Sequence, residues 1–311
     1  MAEIRSEPVA LQQAGEVIVQ AKASAISRGT ERLVWSGKIP ASEYSRMRAP
    51  FQAGDFPYPV KYGYAFVGKL LDASGNPTDR RVFALHPHQT LASLPDEALT
   101  DIPEAVPDSR ACLAANMETA LNAVWDAKVT AGETIAVIGG GIVGCLTAYL
   151  CGRFPGTRVT LIDVNPERAT IAESLGVEFS KPECCPRDCD NVFHASGHPS
   201  GLQTAIDAAG FEATITELSW YGTASVDVLL GGAFHAKRLN LQSSQVGSVS
   251  PRQRGRWSYA RRLKTALQLL DNPALDALLA PAIDFYDLPR HLPAIFDRDG
   301  SALCPIVRYP D

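Results

Sequence analysis

Long apolar runs are missing from this 311-residue chain. No window approaches eighteen uninterrupted apolar residues, and the first twenty residues lack a signal-peptide core. No membrane partner is therefore expected, and the expected location is cytoplasmic. An excess of positive charge is missing too: 29 Lys and Arg face 34 Asp and Glu, for a net charge of −5. That balance excludes a generally basic nucleic-acid-binding surface. Repeats and low-complexity tracts are absent. Cysteines are few and odd in number, seven, and none precedes Cys112, so a disulfide framework is not expected. Cys145 and Cys151 sit in an apolar helical stretch and read as small buried hydrophobes. Cys184, Cys185 and Cys189 cluster beside Pro182 and Pro186 with no standard zinc-ribbon spacing, and read as a surface connection. What remains is an ordinary globular composition, 46% hydrophobic and 20% charged, at a length that suits two domains.

The most informative run is Ile135 to Gly144. Four apolar residues lead straight into Gly139-x-Gly141-x-x-Gly144, a helical stretch follows, and a second apolar strand, 158–162, ends at Asp163. This strand–turn–helix–strand–acid order is what a dinucleotide fold requires. One glycine makes a tight turn, one lets the backbone approach a pyrophosphate, and one lets helix and strand pack closely. The helix start at Ile142 and Val143 offers N–H groups and partial positive charge to phosphates. Asp163, with Val164 behind it, is placed to accept from adenosine ribose hydroxyls and to repel a 2′-phosphate. The expected cofactor is therefore NAD(H).

Residues 1–110 hold short strand signals at 16–23, 60–71 and 81–85, with a turn at 74–77. From Ser109 to Ala127 apolar residues recur at helical spacing, which predicts a linking helix. Residues 133–246 alternate strand and helix, the signature of a parallel sheet with crossover helices. Strands are expected near 134–139, 158–162, 191–194, 213–218 and 239–245. Helices are expected near 142–153, 166–175 and 200–209, with Pro166 in a first turn. The tail holds a helix near 255–270 and a strand at 303–309. The fold class is thus α/β: a Rossmann doubly wound parallel sheet plus a discontinuous β-rich domain.

This organisation resembles the medium-chain dehydrogenase/reductase superfamily along nearly the whole chain. The resemblance implies a GroES-like catalytic domain at 1–115, an NAD-binding domain at 116–246 and a returning catalytic segment at 247–311. Ala25–Glu31 resembles the segment with the first catalytic zinc ligand, Lys61–Gly68 the segment that normally reads Gly-His-Glu, and Ala114–Val124 the helix with the third ligand. Within the superfamily, Gly29–Pro40 is most similar to the bacteriochlorophyllide 3-hydroxyethyl dehydrogenase branch. The departures carry more weight. Ser27 stands for Cys, Tyr64 and Ala65 for His and Glu, and Ala115 or Asn116 for the helix ligand. Zinc takes thiolate, imidazole or carboxylate. Neither a catalytic zinc nor the four-cysteine structural zinc is expected, and no metal ligand is assigned.

Without a metal, a hydrogen-bond donor must stabilise the developing oxygen charge. Tyr64 is the first choice, either as proton donor or as a tyrosine packed between domains. Lys61 would assist it only if a turn at Gly63 brought both to one face, since residues three apart in a strand face opposite ways. Ser27 and Thr30 offer hydroxyls nearby. Glu118 is either cleft-facing or solvent-facing. On the cofactor side the resemblance implies Arg28 at the pyrophosphate, Arg168 at the adenosine end, and Ala195, Ser196, Gly197, Ser219 and Trp220 near the nicotinamide. It further implies Ser244 and Gln245 at the end of the last strand. His86 and His88 read as a loop pair. His194 ends the strand before Ala195. The basic cluster between Arg252 and Lys264 reads as a solvated helix face, with an anion-attracting rim as the alternative. The aromatic insert 44–59 is either a substrate-covering loop or a packing arm. The expected function is zinc-independent hydride transfer between NAD(H) and a small alcohol or carbonyl substrate, by a homodimer. The alternatives are an enoyl or quinone reductase, or a dinucleotide-binding protein without turnover.

Overall fold

The computed structural model describes residues 1–9, 14–297 and 302–310. Residues 298–301 and Asp311 of the expected returning segment lie outside the described residues. The chain divides into two compact units. The first comprises 1–115, 263–272 and 279–311; the second comprises 116–262 and 273–278. The expected returning segment 247–311 is therefore shared: 247–262 and 273–278 group with the second unit.

The second unit is built on six strands in the spatial order 178–180, 158–162, 134–138, 189–194, 209–217, 240–243. Every neighbouring pair is parallel. In chain order this is 3-2-1-4-5-6, the doubly wound dinucleotide topology. The strand Thr134–Ile138 is an unbroken apolar run because both of its faces are covered, as parallel sheets require. The helix Pro199–Ala208 buries Leu202, Ala205 and Ile206, an i, i+3, i+4 stripe, against Ala136, Val192 and Ile215. The short strand Glu178–Ser180 carries too few residues to show a period in the sequence. The helix expected from Pro166 begins at Arg168, with Pro166 in the preceding turn.

The first unit is a mixed sheet around the strand Glu16–Ala25, which pairs antiparallel with Phe66–Leu71, Leu91–Pro95 and Ile306–Arg308. Its core gathers Val19, Phe66, Val82, Leu94, Phe285 and Val307. The strand 306–308 carries the late segment into this sheet, so the β-rich unit is discontinuous in sequence. Arg28 fastens the adjoining segment: its guanidinium donates to the carbonyls of Ile295, Asp297 and Ala302 at 2.7–2.8 Å.

Candidate active site

In the second unit the glycine turn closes as its spacing predicts. Gly139 has φ +107°, and a Cβ there would lie 2.5 Å from the Ser196 nitrogen. At Gly144 a Cβ would lie 1.9 Å from the Gly139 carbonyl oxygen, so helix and strand touch through backbone. Gly141 differs: no atom lies within 4 Å of its Cβ position. The helix Ile142–Cys151 starts immediately after it, with Ile142 buried and Val143 half-buried. An opening at a helix N-terminus beside a glycine turn fits a pyrophosphate. Asp163 stands over this turn, its carboxylate accepting from Gly140 N–H at 2.6 Å and Asn165 N–H at 2.8 Å. Val164 beside it is exposed, and Arg168 is buried with its side chain near the position a Gly140 Cβ would take. The turn, Asp163, Arg168 and the segment 195–197 thus meet at one carboxyl edge of the sheet.

That edge also holds a cluster missed at the sequence level. His194 and Glu217 are register partners on adjacent parallel strands. His194 Nδ1 lies 2.8 Å from Glu217 Oε2, and His194 Nε2 lies 2.6 Å from Ser196 Oγ. Tyr221 donates its hydroxyl to Glu217 at 3.1 Å, and the Ser219 N–H donates to Glu217 at 2.6 Å. Burial and the Glu217 charge push the Tyr221 phenol well above its ordinary pKa, so it stays a donor. Gly197 donates its N–H to Ser219 Oγ at 3.0 Å, and Trp220 is half-buried beside it. The available signal was positional: His194 ends one predicted strand and Glu217 lies one residue before the end of another, where doubly wound sheets bind ligands.

Ser244 and Gln245 face other partners. The Ser244 hydroxyl donates to Asp126 at 2.7 Å, and Gln245 accepts from Gly247 N–H at 2.6 Å. Glu118 is buried and held by Arg262 at 2.9 Å, so it does not face solvent. Arg262 also donates to Asn122 Oδ1 at 2.6 Å and to the carbonyls of Val246 and Ser248. Burial raises the Glu118 pKa and outweighs the opposing pull of Arg262. Arg262 corrects the solvated-face expectation for 252–264: it is 2% exposed, whereas Arg252, Arg254, Arg256, Arg261 and Lys264 are exposed.

In the first unit, three expected catalytic residues come together. The Tyr64 phenol is hydrogen-bonded to the side chains of Ser27 and Thr30. Burial first, then the Glu31 charge, push the Tyr64 pKa up to about 12, against those hydrogen bonds. Tyr64 is therefore a protonated donor at neutral pH. Lys61 does not join it. Gly63 does take a left-handed conformation, φ +123°, yet Lys61 Nζ pairs with Glu7 at 3.0 Å near the surface. Arg28, expected at a pyrophosphate, has its guanidinium engaged by the three carbonyls described above.

Glu31 was missed, and it organises the site. It is buried, accepts the Ser27 N–H at 2.8 Å, and lies 3.2 Å from His88 Nε2. His88 Nδ1 lies 2.7 Å from Ser24 Oγ, which lies 2.8 Å from the Tyr309 hydroxyl. An ionised Glu31 can only accept, so with a neutral His88 the chain runs Tyr309 to Ser24, Ser24 to His88, His88 to Glu31. His86 behaves differently from its neighbour. It donates from Nδ1 to Pro87 O at 3.0 Å, packs on Phe51 and Phe66, and is lowered to about 4 by burial. The insert 44–59 reaches Tyr64 through rings: Phe56 on Tyr62 at 5.9 Å, and Tyr62 edge-on to Tyr64 at 6.1 Å.

A nicotinamide dinucleotide fits the glycine turn and Asp163. A zinc ion does not fit Ser27, Tyr64 and Ala65, whose donors are hydroxyls or nothing. Among the described residues, no group of three His, Cys, Asp or Glu side chains could hold a metal ion.

No protein-family model matches the chain. Sequence relatives do exist. D-guloside 3-dehydrogenase of Escherichia coli K12 is 25% identical over 184 residues, 55% of this chain and 53% of the relative. A zinc-type alcohol dehydrogenase-like protein of Haemophilus influenzae is 24% identical over 223 residues, 67% of this chain and 61% of the relative. The matches therefore span little more than half the length of these relatives. The crystal structure of 2R,3R-butanediol dehydrogenase from Bacillus subtilis superposes with TM-score 0.74 at 19% identity, covering 99% of this chain and 96% of that one. The chain is thus similar in sequence to alcohol dehydrogenase-like proteins and shares the fold of solved dehydrogenases. Two further structures with this fold are complexed with NADH or with NADP. One of these relatives is thus named as a zinc-type protein, whereas the side chains at Ser27 and Tyr64 here are hydroxyls.

Proposed function

We propose that this chain is a zinc-independent, NAD(H)-linked oxidoreductase that interconverts an alcohol and a carbonyl on a small-molecule substrate. The observation that carries the reading is the edge where the glycine turn opens at Gly141 beneath the Asp163 carboxylate. The turn accepts a pyrophosphate, and Asp163 accepts ribose hydroxyls while its charge opposes a 2′-phosphate. A nicotinamide, when bound, supplies the hydride donor or acceptor. The protein's own contribution to the oxygen is Tyr64. Its phenol is protonated and oriented by Ser27 and Thr30, and it donates a hydrogen bond where zinc-type relatives would use a metal. The chain Tyr309–Ser24–His88–Glu31 holds that arrangement rigid.

Fluorescence titration with NADH and NADPH tests the reading. NADH binds more tightly, and Asp163→Ala narrows the difference by about 1–3 kcal/mol. Tighter binding of NADPH by the unmodified protein would contradict it.

A further inference from the structure

The cluster at the carboxyl edge of the second unit has the form of an acid–base relay. Glu217 is its anchor. Four contacts converge on this carboxylate: both oxygens from His194, Oε1 from the Ser219 N–H, and Oε2 from the Tyr221 hydroxyl. An ionised carboxylate only accepts, so His194 donates from Nδ1, and in its neutral form it presents the lone pair of Nε2. Ser196 Oγ lies 2.6 Å from that nitrogen and donates to it. Ser196 is exposed, whereas His194 is fully buried. A proton on the surface hydroxyl is thereby connected to a buried base backed by a carboxylate.

Two features show that the fold is built around this contact. Gly201, in the first turns of the helix Pro199–Ala208, carries no Cβ where one would lie 2.2 Å from Ser196 Oγ and 2.8 Å from His194 Nε2. Any side chain there would drive between the two. Gly139 of the dinucleotide turn approaches the Ser196 backbone so closely that a Cβ would lie 2.6 Å from the Ser196 Cα. The relay therefore opens at the switch point of the sheet, between the strands 134–138 and 189–194, where such sheets bind ligands.

We propose that Ser196, His194 and Glu217 form a proton relay whose exposed end, Ser196 Oγ, takes a hydroxyl of the bound ligand. That hydroxyl belongs either to the cofactor ribose or to the alcohol substrate. The ligand hydroxyl gives its proton to Ser196 Oγ as Ser196 passes its own to His194 Nε2, and Glu217 stabilises the imidazolium. In the reverse direction the imidazolium returns the proton. Tyr221 and Ser219 hold Glu217 in place, and His198 flanks Ser196 Oγ, donating its N–H at 3.2 Å and offering its carbonyl as a longer second acceptor at 3.4 Å. The ligand assignment rests on the dinucleotide reading above; the relay itself rests on this unit alone.

Nitrogen NMR of histidine-labelled protein, with His194 assigned by His194→Asn, tests it. Neutral His194 carries its proton on Nδ1. Glu217→Gln lowers the His194 pKa by at least about one unit, tenfold in the proton equilibrium. Gly201→Ala, which leaves all three residues in place, shifts the Nε2 resonance while circular dichroism stays native. An Nε2–H tautomer, or a pKa unmoved in Glu217→Gln, overturns the relay. Adding NAD⁺ alone moves the Nε2 resonance in the unmodified protein and not in Ser196→Ala if the hydroxyl is the cofactor's. If NAD⁺ binds without that effect but NAD⁺ with an added alcohol produces it, the hydroxyl is the substrate's. Bound NAD⁺ with no effect in either case overturns the ligand role. Failure of NAD⁺ to bind at all overturns the dinucleotide reading, and the tautomer and the Glu217→Gln result then judge the relay by themselves.

Discussion

The two units carry the same chemical arrangement with opposite exposure. In each, a glutamate accepts from a histidine whose other nitrogen meets a serine hydroxyl: Glu31, His88 and Ser24 in the first, Glu217, His194 and Ser196 in the second. In the first unit the chain ends on the buried Tyr309 hydroxyl, so every donor is answered inside the protein. In the second it ends on an exposed serine beside the glycine turn. A closed chain of hydrogen bonds rigidifies, because its proton has nowhere to go. An open one can exchange a proton with a ligand. Chemistry alone therefore does not separate a scaffold from a site; the exposure of the last hydroxyl does.

Removing each carboxylate is the strongest way to break this comparison. Glu31→Ala strands the Ser27 N–H and His88 in the interior and costs about 2–6 kcal/mol, from one to three per buried unsatisfied group. Glu217→Ala strands the buried His194 but leaves Ser219 and Tyr221 half-exposed, and costs about 1–3 kcal/mol, for one buried unsatisfied group. Urea unfolding of both variants measures the difference, and an equal or larger loss at Glu217 would contradict the division between closed and open chains. A smaller effect comes from His86, which belongs to neither chain. Its pKa is lowered to about 4 by burial, so it contributes stability above pH 6.5 that is lost as the pH falls through 4. His86→Phe removes up to about 3 kcal/mol of acid destabilisation across that window. Unfolding curves for the two proteins that fall in parallel between pH 6.5 and 4 would remove His86 from the account. The smallest effect belongs to Lys61. Its pairing with Glu7 is a surface one, so Lys61→Ala changes stability by about 0.5 kcal/mol or less. A large loss would return Lys61 to the Tyr64 site.

How much of this was legible depended on sequence distance. The glycine turn and Asp163 were readable because their spacing is local and each glycine answers a local steric demand. Ser27 and Tyr64 were readable as departures from a known ligand pattern, and Thr30 as a hydroxyl beside them. The His194–Glu217 pair was not, because sheet register alone brings together residues 23 positions apart. Glu31 and His88, 57 positions apart, were hidden for the same reason. Arg262 misled for another: helical spacing among arginines suggests a wet face, and only the fold shows that Glu118 and Asn122 wait behind that one position. Arg28 was placed by family resemblance at a phosphate, and the structure spends it on carbonyls instead.

The central claim is the proposal above: the second unit binds a dinucleotide, and the first unit carries the Ser27, Thr30 and Tyr64 hydroxyls rather than zinc ligands. Zinc stoichiometry by mass spectrometry, on protein produced in zinc-supplemented medium and dialysed against buffer, tests it most directly. The account predicts zinc far below one ion per chain in protein that still binds NADH. One tightly held zinc per chain would contradict it.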